Sequence, residues 1–351
     1  MKIGLLIYGS IDTLSGGYLY DRKLVEYLRA QGESVEIISL PWRNYCAHLS
    51  DNLSFQLPSG LDVLIQDELN HPSLLVANAR KHPYSVVSLV HHLRCSEQHP
   101  GWLRSIYQQV EARYLRSVDG FIFNSKTTRQ VVTDLVGERA PALIAYPPTD
   151  RFGSALSKAQ VSARAHLPGP LRLVFLGNVI PRKGLSTVLK AIRLQSADFR
   201  LDVIGSLDSD PLHARQMQKM VRDLALEERV TFHGALDNQD LIEKLQLAQV
   251  LVVPSSYEGF GIVYLEGMAF GLPAIGSTTG AAGEIIANAE TGYLVSSGDA
   301  ALLALRLQAL ADDRDLLERM SLQGLERYRR QPTWAQTAED IRQFLYTMVG
   351  K

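Results

Sequence analysis

The sequence predicts an α/β protein built from two successive doubly wound domains. Short apolar runs alternate with longer amphipathic runs along the 351 residues, which is the pattern of βα units around a parallel sheet. The alternation is interrupted once, near the middle of the chain, and then begins again. Because domains usually contain about 100–200 residues, the length also suits two of them. We therefore expect two parallel sheets, each with ligand sites at the carboxyl ends of its strands.

The first set of elements begins close to the N-terminus with the strand Ile3–Tyr8. A helix pattern follows at Tyr18–Gln31, and Gly32 ends it. The segment Pro41–Leu61 has little periodicity and is expected to be a loop with a short helix. The predicted strands are Ile3–Tyr8, Val35–Ser39, Val63–Gln66, Val86–Val90, Gly120–Asn124 and Ala142–Ala145.

The second set follows a stretch rich in Ser, Ala, Gly and Pro, which we interpret as a linker over residues 151–170. Its predicted strands are Leu171–Leu176, Leu201–Ile204, Val230–Phe232, Val250–Val253, Pro273–Ile275 and Gly292–Val295. The predicted domains are therefore 1–150 and 171–330. A last helix, Trp334–Met348, lies in the remaining segment 331–351.

Composition excludes several classes of protein. The chain is 46% hydrophobic and 21% charged, as in ordinary globular proteins, and its net charge of −1 argues against nucleic acid as a partner. The two cysteines, Cys46 and Cys95, fit no metal-site spacing and suit a reducing compartment; both are expected to be buried. Since no run of about 18 apolar residues occurs, we predict a cytoplasmic protein.

The segment Pro254–Pro273 is the most informative part of the chain. Two carboxylates, Glu258 and Glu266, are separated by seven residues, with a turn containing Gly259 and Gly261 between them. An apolar strand precedes the turn and a helix pattern follows it, so free N–H groups at the helix start can bind phosphate. Glu266, one turn further on, can accept hydrogen bonds from ribose hydroxyls. The alternative is a loop acid and a solvated helix acid without function.

This segment resembles the Glu-x7-Glu motif of the retaining glycosyltransferases of family 4. The resemblance implies the GT-B fold, in which two Rossmann-like doubly wound domains face each other across a cleft. Residues 1–150 would form the acceptor side, residues 171–330 would bind a nucleotide-sugar, and the last helix would cross back to the first domain. The implied reaction moves a hexose from a UDP- or GDP-type donor to an acceptor hydroxyl with retention. A glycan, a lipid-linked sugar or a small molecule is the expected acceptor.

A basic pair, Arg182 and Lys183, follows the first strand of the second set. Arginine can bind phosphate oxygens with its fork, and lysine adds a compact charge. The pair resembles the family's Arg-x-x-x-Lys-Gly segment, which binds the diphosphate, although here the arginine directly precedes the lysine. The usual Gly-Arg-Leu opening is also replaced, by Gly177-Asn178-Val179. A solvated loop pair is the alternative.

Two segments of the first half resemble the donor and acceptor region of the family. The loop Gly9–Gly17 ends in Gly16 and Gly17, which correspond to the family's Gly-Gly loop. His91 follows a strand where the family often has an active-site histidine, and His92 stands at the variable position. A structural histidine, or His92 as the one that faces the substrate, remains open.

The resemblance thus implies a complete set of site residues. The catalytic residues would be His91, Glu258, Lys183 and Arg182. The donor would be bound by Gly16, Gly17, Arg182, Lys183, Glu258, Gly259, Phe260, Gly261, Ile262 and Glu266. No metal ion and no cofactor are expected, because these cations and N–H groups can themselves stabilise the departing diphosphate.

Two alternatives to a transferase remain open at this point. Another GT-B enzyme, such as a nucleotide-sugar epimerase, shares the architecture, and a non-catalytic nucleotide-sugar-binding module would keep the fold without turnover. The helix pattern Trp102–Arg116, with three arginines, also leaves open a peripheral contact with the inner face of the membrane. An ordinary helix that faces the core is the alternative there.

Overall fold

The computed structural model describes residues 1–13, 15–148, 150–152, 156–195 and 197–350. The described chain forms two compact units. Unit 1 comprises the described residues of Met1–Pro148 and Pro332–Lys351, and unit 2 comprises those of Thr149–Gln331. Each unit is built on one six-stranded sheet.

The strands of unit 1 are Lys2–Tyr8 (β1), Ser34–Leu40 (β2), Val63–Asp67 (β3), Ser85–Val90 (β4), Gly120–Phe123 (β5) and Ala142–Ile144 (β6). Its first five helices are Gly16–Ala30 (α1), Tyr45–Leu49 (α2), His71–Leu74 (α3), Gly101–Leu115 (α4) and Lys126–Val136 (α5).

The strands of unit 2 are Leu171–Leu176 (β7), Phe199–Ile204 (β8), Val230–Gly234 (β9), Val250–Val252 (β10), Ala274–Ser277 (β11) and Gly292–Val295 (β12). The remaining helices are Lys158–Ala165 (α6), Leu185–Arg193 (α7), Pro211–Asp223 (α8), Asn238–Leu247 (α9), Ile262–Ala269 (α10), Ala282–Ile285 (α11), Ala300–Asp312 (α12), Arg314–Arg329 (α13) and Trp334–Met348 (α14).

The sheet of unit 1 has the order β2-β1-β3-β4-β5-β6, with every neighbouring pair parallel. Because the order reverses at β1, the loops after β1 and β3 diverge and leave a crevice at the carboxyl ends of these strands. Helix α14 belongs to this unit, where its buried Ile341 and Leu345 join the core formed with β1, β3 and β4. A Cβ on Gly120 would lie 2.8 Å from Met348 Cε, which shows how closely α14 approaches β5.

The sheet of unit 2 has the order β12-β11-β10-β7-β8-β9, again with parallel neighbours. The order reverses between β7 and β10, so the loops that follow these two strands diverge at one edge of the sheet. Both β7 and β10 are almost wholly apolar and buried, as expected for central strands covered on both faces.

Two expectations from sequence need correction. The predicted linker 151–170 contains α6, which starts with a capping box formed by Ser157 and Gln160 and buries Val161. The many small residues of this segment concealed a helix that tertiary contacts stabilise. Cys95 is buried as expected, but Cys46 is exposed because it lies on the short helix α2.

Among the residues that the structure describes, no helix combines the length and the apolar character needed to cross a membrane.

Candidate functional site

In unit 2, the predicted basic pair and the first motif glutamate meet at the reversal point of the sheet. Lys183 follows β7, and Glu258 follows β10. Lys183 Nζ lies 2.6 Å from Glu258 Oε1, and Arg182 Nη1 lies 3.6 Å from Glu258 Oε2. Ser255 Oγ donates a second hydrogen bond to Glu258 Oε1 at 2.6 Å. The three charged residues therefore form one cluster, which we call the cation–carboxylate cluster.

Glu258 is almost completely buried and is ionised by its neighbours. Burial alone would raise the pKa of this carboxyl, but the charges of Lys183 and Arg182 outweigh it and hold the pKa below the usual value. A fixed carboxylate thus lies directly beside two cations. Such a cluster can contact positive and negative charge in the same ligand.

Glycines let the two loops approach each other. Gly184 has a φ of +76°, and a Cβ there would lie only 2.4 Å from the Pro254 carbonyl oxygen. Gly280 has a φ of +73°, and a Cβ there would lie only 2.2 Å from the Glu258 carbonyl oxygen. The backbone N–H of Ser256 also donates to the Arg182 carbonyl at 2.8 Å. Residues with a side chain rarely adopt a positive φ, and a Cβ would clash at both positions, so glycine is needed at each of them.

Helix α10 begins immediately after the turn. Its N-cap is Gly261, with a φ of +93°, and the ring of Tyr264 lies where a Cβ of Gly261 would point. The Tyr264 hydroxyl donates to the Val253 carbonyl at 2.8 Å and ties the helix to the end of β10. Of the other predicted donor-binding residues of this turn, Phe260 is buried, whereas Gly259 and Ile262 are partly exposed.

The second motif glutamate, Glu266, has a partner that the sequence did not reveal. Arg151 Nη1 lies 3.0 Å from Glu266 Oε1, and Arg151 Nη2 donates to Asn238 Oδ1 at 2.7 Å. Burial raises the pKa of Glu266, and the charge of Arg151 offsets part of that rise. Arg151 therefore joins the start of unit 2 to α9 and α10.

In unit 1, His91 lies against the start of α1. Gly16 is the first residue of α1, and a Cβ on Gly17 would lie 3.3 Å from His91 Cδ2. His91 Nε2 lies 3.1 Å from Oδ1 of Asp21, a fully buried residue of α1. His92, the alternative candidate, lies 3.3 Å from Glu97 Oε1 through its own Nε2.

Acidic side chains surround His91. Burial alone would lower the pKa of His91, but the carboxylates of Asp21, Asp67 and Glu68 raise it to about 9. The pKa of Asp67 is raised to about 6, mainly by burial and then by Asp21. Burial also raises the pKa of Glu68, to about 8.

Three groups of described side chains bring possible metal-binding atoms within 4.8 Å of one another: Asp21, Asp67 and His91; Glu68, His71 and Glu111; and His166, Asp315 and Glu318. In the first group, His91 is hydrogen-bonded directly to Asp21. In the second, the Glu111 oxygens accept the backbone N–H groups of Arg94 and Cys95. The third group lies at the surface. In the first two clusters, protein groups thus already contact some of the possible ligand atoms, whereas Asp21 Oδ2 and Glu68 Oε1 have no hydrogen-bond partner among the described residues.

Sequence reasoning missed the acids near His91, which are Asp21, Asp67 and Glu68, and it missed Arg151, the partner of Glu266. Asp67 ends β3, so its position at the carboxyl end of a predicted strand was a usable signal. Asp21 lies within the amphipathic pattern of α1, and Arg151 lies in the supposed linker. Neither carries a local signal, because only the fold brings each to its partner.

The family comparison concerns unit 2. Residues 159–327 match the family described as "Glycosyl transferases group 1". The matched range includes the cation–carboxylate cluster and Glu266.

Two relatives with known functions illustrate the similarity. The chain is 28% identical over 279 residues to a glycogen synthase of Mycobacterium tuberculosis, with 76% of this chain and 64% of that protein covered. It is 26% identical over 373 residues to a phosphatidyl-myo-inositol mannosyltransferase of Mycobacterium leprae, with 97% and 95% covered. The match therefore spans less than two thirds of the glycogen synthase but nearly all of the mannosyltransferase.

A solved structure shows the fold. Sucrose-phosphate synthase (tll1590) from Thermosynechococcus elongatus superposes with a TM-score of 0.80 at 21% identity, covering 99% of this chain and 98% of that one. Together with the two parallel six-stranded sheets, this similarity confirms the predicted fold class, GT-B with two Rossmann-like units.

Proposed function

We propose that this chain is a nucleotide-sugar-dependent glycosyltransferase of the retaining family 4 type that acts in glycan or glycolipid synthesis. The observation that carries the proposal is the cation–carboxylate cluster, in which Lys183, Arg182 and Glu258 meet at the reversal point of a parallel sheet. The cluster lies in the range that matches glycosyl transferases group 1. The relatives named as a mannosyltransferase and a glycogen synthase support the same class of reaction.

The donor's diphosphate would bind at Lys183, Arg182 and the start of α10. As the bond between the sugar and the phosphate breaks, negative charge grows on the diphosphate and positive charge grows on the sugar ring. Fixed cations and N–H groups stabilise the first charge without reorganising. The ionised Glu258 would contact the donor sugar, while Glu266 would accept the ribose hydroxyls.

Transfer with retention requires the acceptor oxygen to attack the face from which the diphosphate leaves. The departing phosphate oxygen can take the acceptor's proton, so no separate protein base is needed. With two cations at the diphosphate, we propose that the reaction proceeds without a metal ion. The donor would be a UDP- or GDP-linked hexose, and unit 1 would take the acceptor hydroxyl of a glycan, a lipid-linked sugar or a small molecule.

We also propose that α4 contacts an anionic membrane surface. Trp102 and Ile106 are 69% and 46% exposed, and Gln109, Arg113 and Arg116 continue the same exposed stripe at helical spacing. The single acid of this helix, Glu111, is buried on the opposite side, where it accepts backbone N–H groups. An apolar stripe extended by arginines suits the headgroup region of a bilayer. A lipid-linked acceptor would be found at such a surface.

A nucleotide screen tests the proposed activity. We expect UDP or GDP, and one of its hexose conjugates, to raise the midpoint of heat unfolding in buffer containing EDTA. A ligand at about 100 times its Kd adds roughly 2.7 kcal/mol to the free energy of unfolding. The variant Lys190→Met, which removes an exposed lysine of α7, is the control. The nucleotide should raise its unfolding midpoint as much as it raises that of the wild type.

The responding conjugate is then incubated with candidate acceptors, and the anomeric configuration of the product is read by NMR. An α-linked donor should give an α-linked product. Absence of any nucleotide shift, a strict need for Mg²⁺, or an inverted product would each contradict part of the proposal. Conversion of the donor sugar without an acceptor would instead favour an epimerase.

A further inference from the structure

The pair Asp21 and His91 has an unusual environment for two ionisable side chains. Asp21 has no exposed surface, and its Oδ1 lies 3.1 Å from His91 Nε2. Its other oxygen, Oδ2, is buried and has no hydrogen-bond partner among the described residues. An ionised carboxylate in such a place needs a close positive charge. His91 is the group that lies in contact with it.

The ring of His91 is held from several directions. Tyr20 meets it edge-on, with ring centroids 5.4 Å apart, and Gly17 lies close to its Cδ2. The side-chain amide of Asn124 donates to the His91 carbonyl at 2.7 Å and fixes the backbone. Since Nε2 faces Asp21, the other nitrogen, Nδ1, makes no hydrogen bond to a described residue. It is the ring atom that remains to contact a substrate.

The acids that act on His91 come from two elements of unit 1, α1 and the end of β3. Asp21 lies on α1, Asp67 is the last residue of β3, and Glu68 directly follows that strand. His92, the next residue, has its own acidic partner in Glu97. Asp21, Asp67 and Glu68 together outweigh the effect of burial and raise the pKa of His91 to about 9.

We propose that Asp21 is the positioning residue that holds His91 as an imidazolium, in which Nε2–H donates to Asp21 and Nδ1–H is left to donate to a substrate oxygen. This inference rests on the proposed function and deepens it. Charge-assisted hydrogen bonds of this kind are about twice as strong as neutral ones, so the arrangement fixes both the ring angle and its charge.

The charged state decides what His91 can do. An imidazolium has no free lone pair, so it cannot take the acceptor's proton. In the transfer, the bond from C1 to the phosphate oxygen breaks, the bond from C1 to the acceptor oxygen forms, and the acceptor's proton goes to the departing phosphate oxygen. His91 donates a hydrogen bond to a substrate oxygen throughout and ends the reaction unchanged.

Asp21→Asn tests the role of Asp21, because asparagine keeps the shape and the acceptor oxygen but removes the charge. We expect kcat to fall roughly ten- to hundredfold, as for loss of one charge-assisted contact, while KM for the donor changes less than about threefold. The wild-type rate should fall as pH rises through about 9, and the variant's rate should fall at a lower pH, towards the ordinary histidine value of about 6.5. Glu97→Gln, which removes the acid beside His92, is the matched control and should leave kcat and the pH profile unchanged.

NMR of the wild-type protein with labelled histidines gives a test that needs neither the variant nor activity. The His91 signal, assigned by its loss in His91→Gln, should be doubly protonated at pH 7. A neutral His91 at that pH, or an Asp21→Asn enzyme with the wild-type kcat and pH profile, overturns the inference. A protein with a charged His91 that neither binds nucleotides nor transfers sugar would contradict the proposed function alone. The charged pair of Asp21 and His91 would be confirmed in that case, so failure of the inference and failure of the proposed function can be told apart.

Discussion

At the scale of single residues, Glu258 is the side chain that the other residues of the cation–carboxylate cluster contact. It is 6% exposed, and its Oε1 accepts hydrogen bonds from Lys183 Nζ and from the Ser255 hydroxyl, each at 2.6 Å. A buried carboxylate without its cation is costly, so the folded chain depends on the residue that we assign to the diphosphate. Stability and donor binding therefore share Lys183.

Lys183→Met should separate these two roles. Methionine keeps the unbranched shape but leaves Glu258 with the Ser255 hydroxyl at 2.6 Å and with the more distant Arg182, at 3.6 Å, as its cation. We expect the free energy of unfolding to fall by about 1.5–3 kcal/mol, the usual range for a hydrogen bond to a charged group. Nucleotide affinity should fall at least about tenfold. Urea unfolding measures the first effect, and calorimetric titration with UDP or GDP measures the second.

The double variant Lys183→Met/Glu258→Gln is the control. Because a neutral amide needs no cation, most of the lost stability should return, while nucleotide affinity stays low. Wild-type affinity in either variant would remove Lys183 from the donor site. A single variant as stable as the wild type would show that the ion pair contributes nothing measurable.

At the scale of elements, α4 shows how one helix can serve two environments. Its buried side packs Tyr114 and Leu115 into the core of unit 1, and its exposed side carries Trp102, Ile106 and Arg113. The sequence pattern favoured an ordinary helix that faces the core, with solvated arginines, and left a membrane contact open as the alternative. The structure places the exposed stripe on the side of α4 opposite the buried Glu111.

Vesicle binding tests the exposed stripe. The protein should sediment with vesicles containing anionic lipid and should be released by salt, because each arginine near such a surface contributes about 1 kcal/mol. Arg113→Gln/Arg116→Gln should reduce the bound fraction, and Trp102→Ala should reduce it further. Arg193→Gln, a change at an exposed arginine of unit 2, serves as the control. Equal binding to neutral vesicles, or none at all, would contradict the membrane proposal.

At the scale of the whole molecule, the buried acids of unit 1 should make stability depend on pH. The folded-state pKa of Glu68 is about 8 and that of His91 about 9, both above the ordinary values of their side chains. The folded state therefore holds these protons more tightly than the unfolded chain. The corresponding stabilisation is complete below the ordinary pKa values and is lost as pH rises through 8 and 9.

The midpoint of heat unfolding should accordingly fall between pH 6 and pH 9. Each group can contribute at most about 1.4 kcal/mol per pH unit. Scanning calorimetry at constant ionic strength measures the effect. Glu68→Gln, which stays neutral at every pH, should flatten the slope. A midpoint that rises over this interval, or a variant with the wild-type slope, would show that the burial of Glu68 does not govern it.

Across the whole chain, periodicity was enough to predict every strand of both sheets, because buried parallel strands are short apolar runs between amphipathic helices. It failed at α6, where small residues concealed a helix, although the capping pair Ser157 and Gln160 could have been recognised. The motif residues Lys183 and Glu258 were predicted by resemblance, and the structure places them in contact. Their roles in binding the donor remain predictions.

The sequence by itself determined the two sets of βα units and the candidate residues at their strand ends, because both depend on local pattern. Only the tertiary structure decided the partners of those residues. Arg151 reaches Glu266 across 115 positions of the chain, and Asp21 reaches His91 across 70. Such pairs leave no trace in any short window of sequence. Their charge is set by burial together with the neighbouring charges, and both arise only when the sheets and helices have packed.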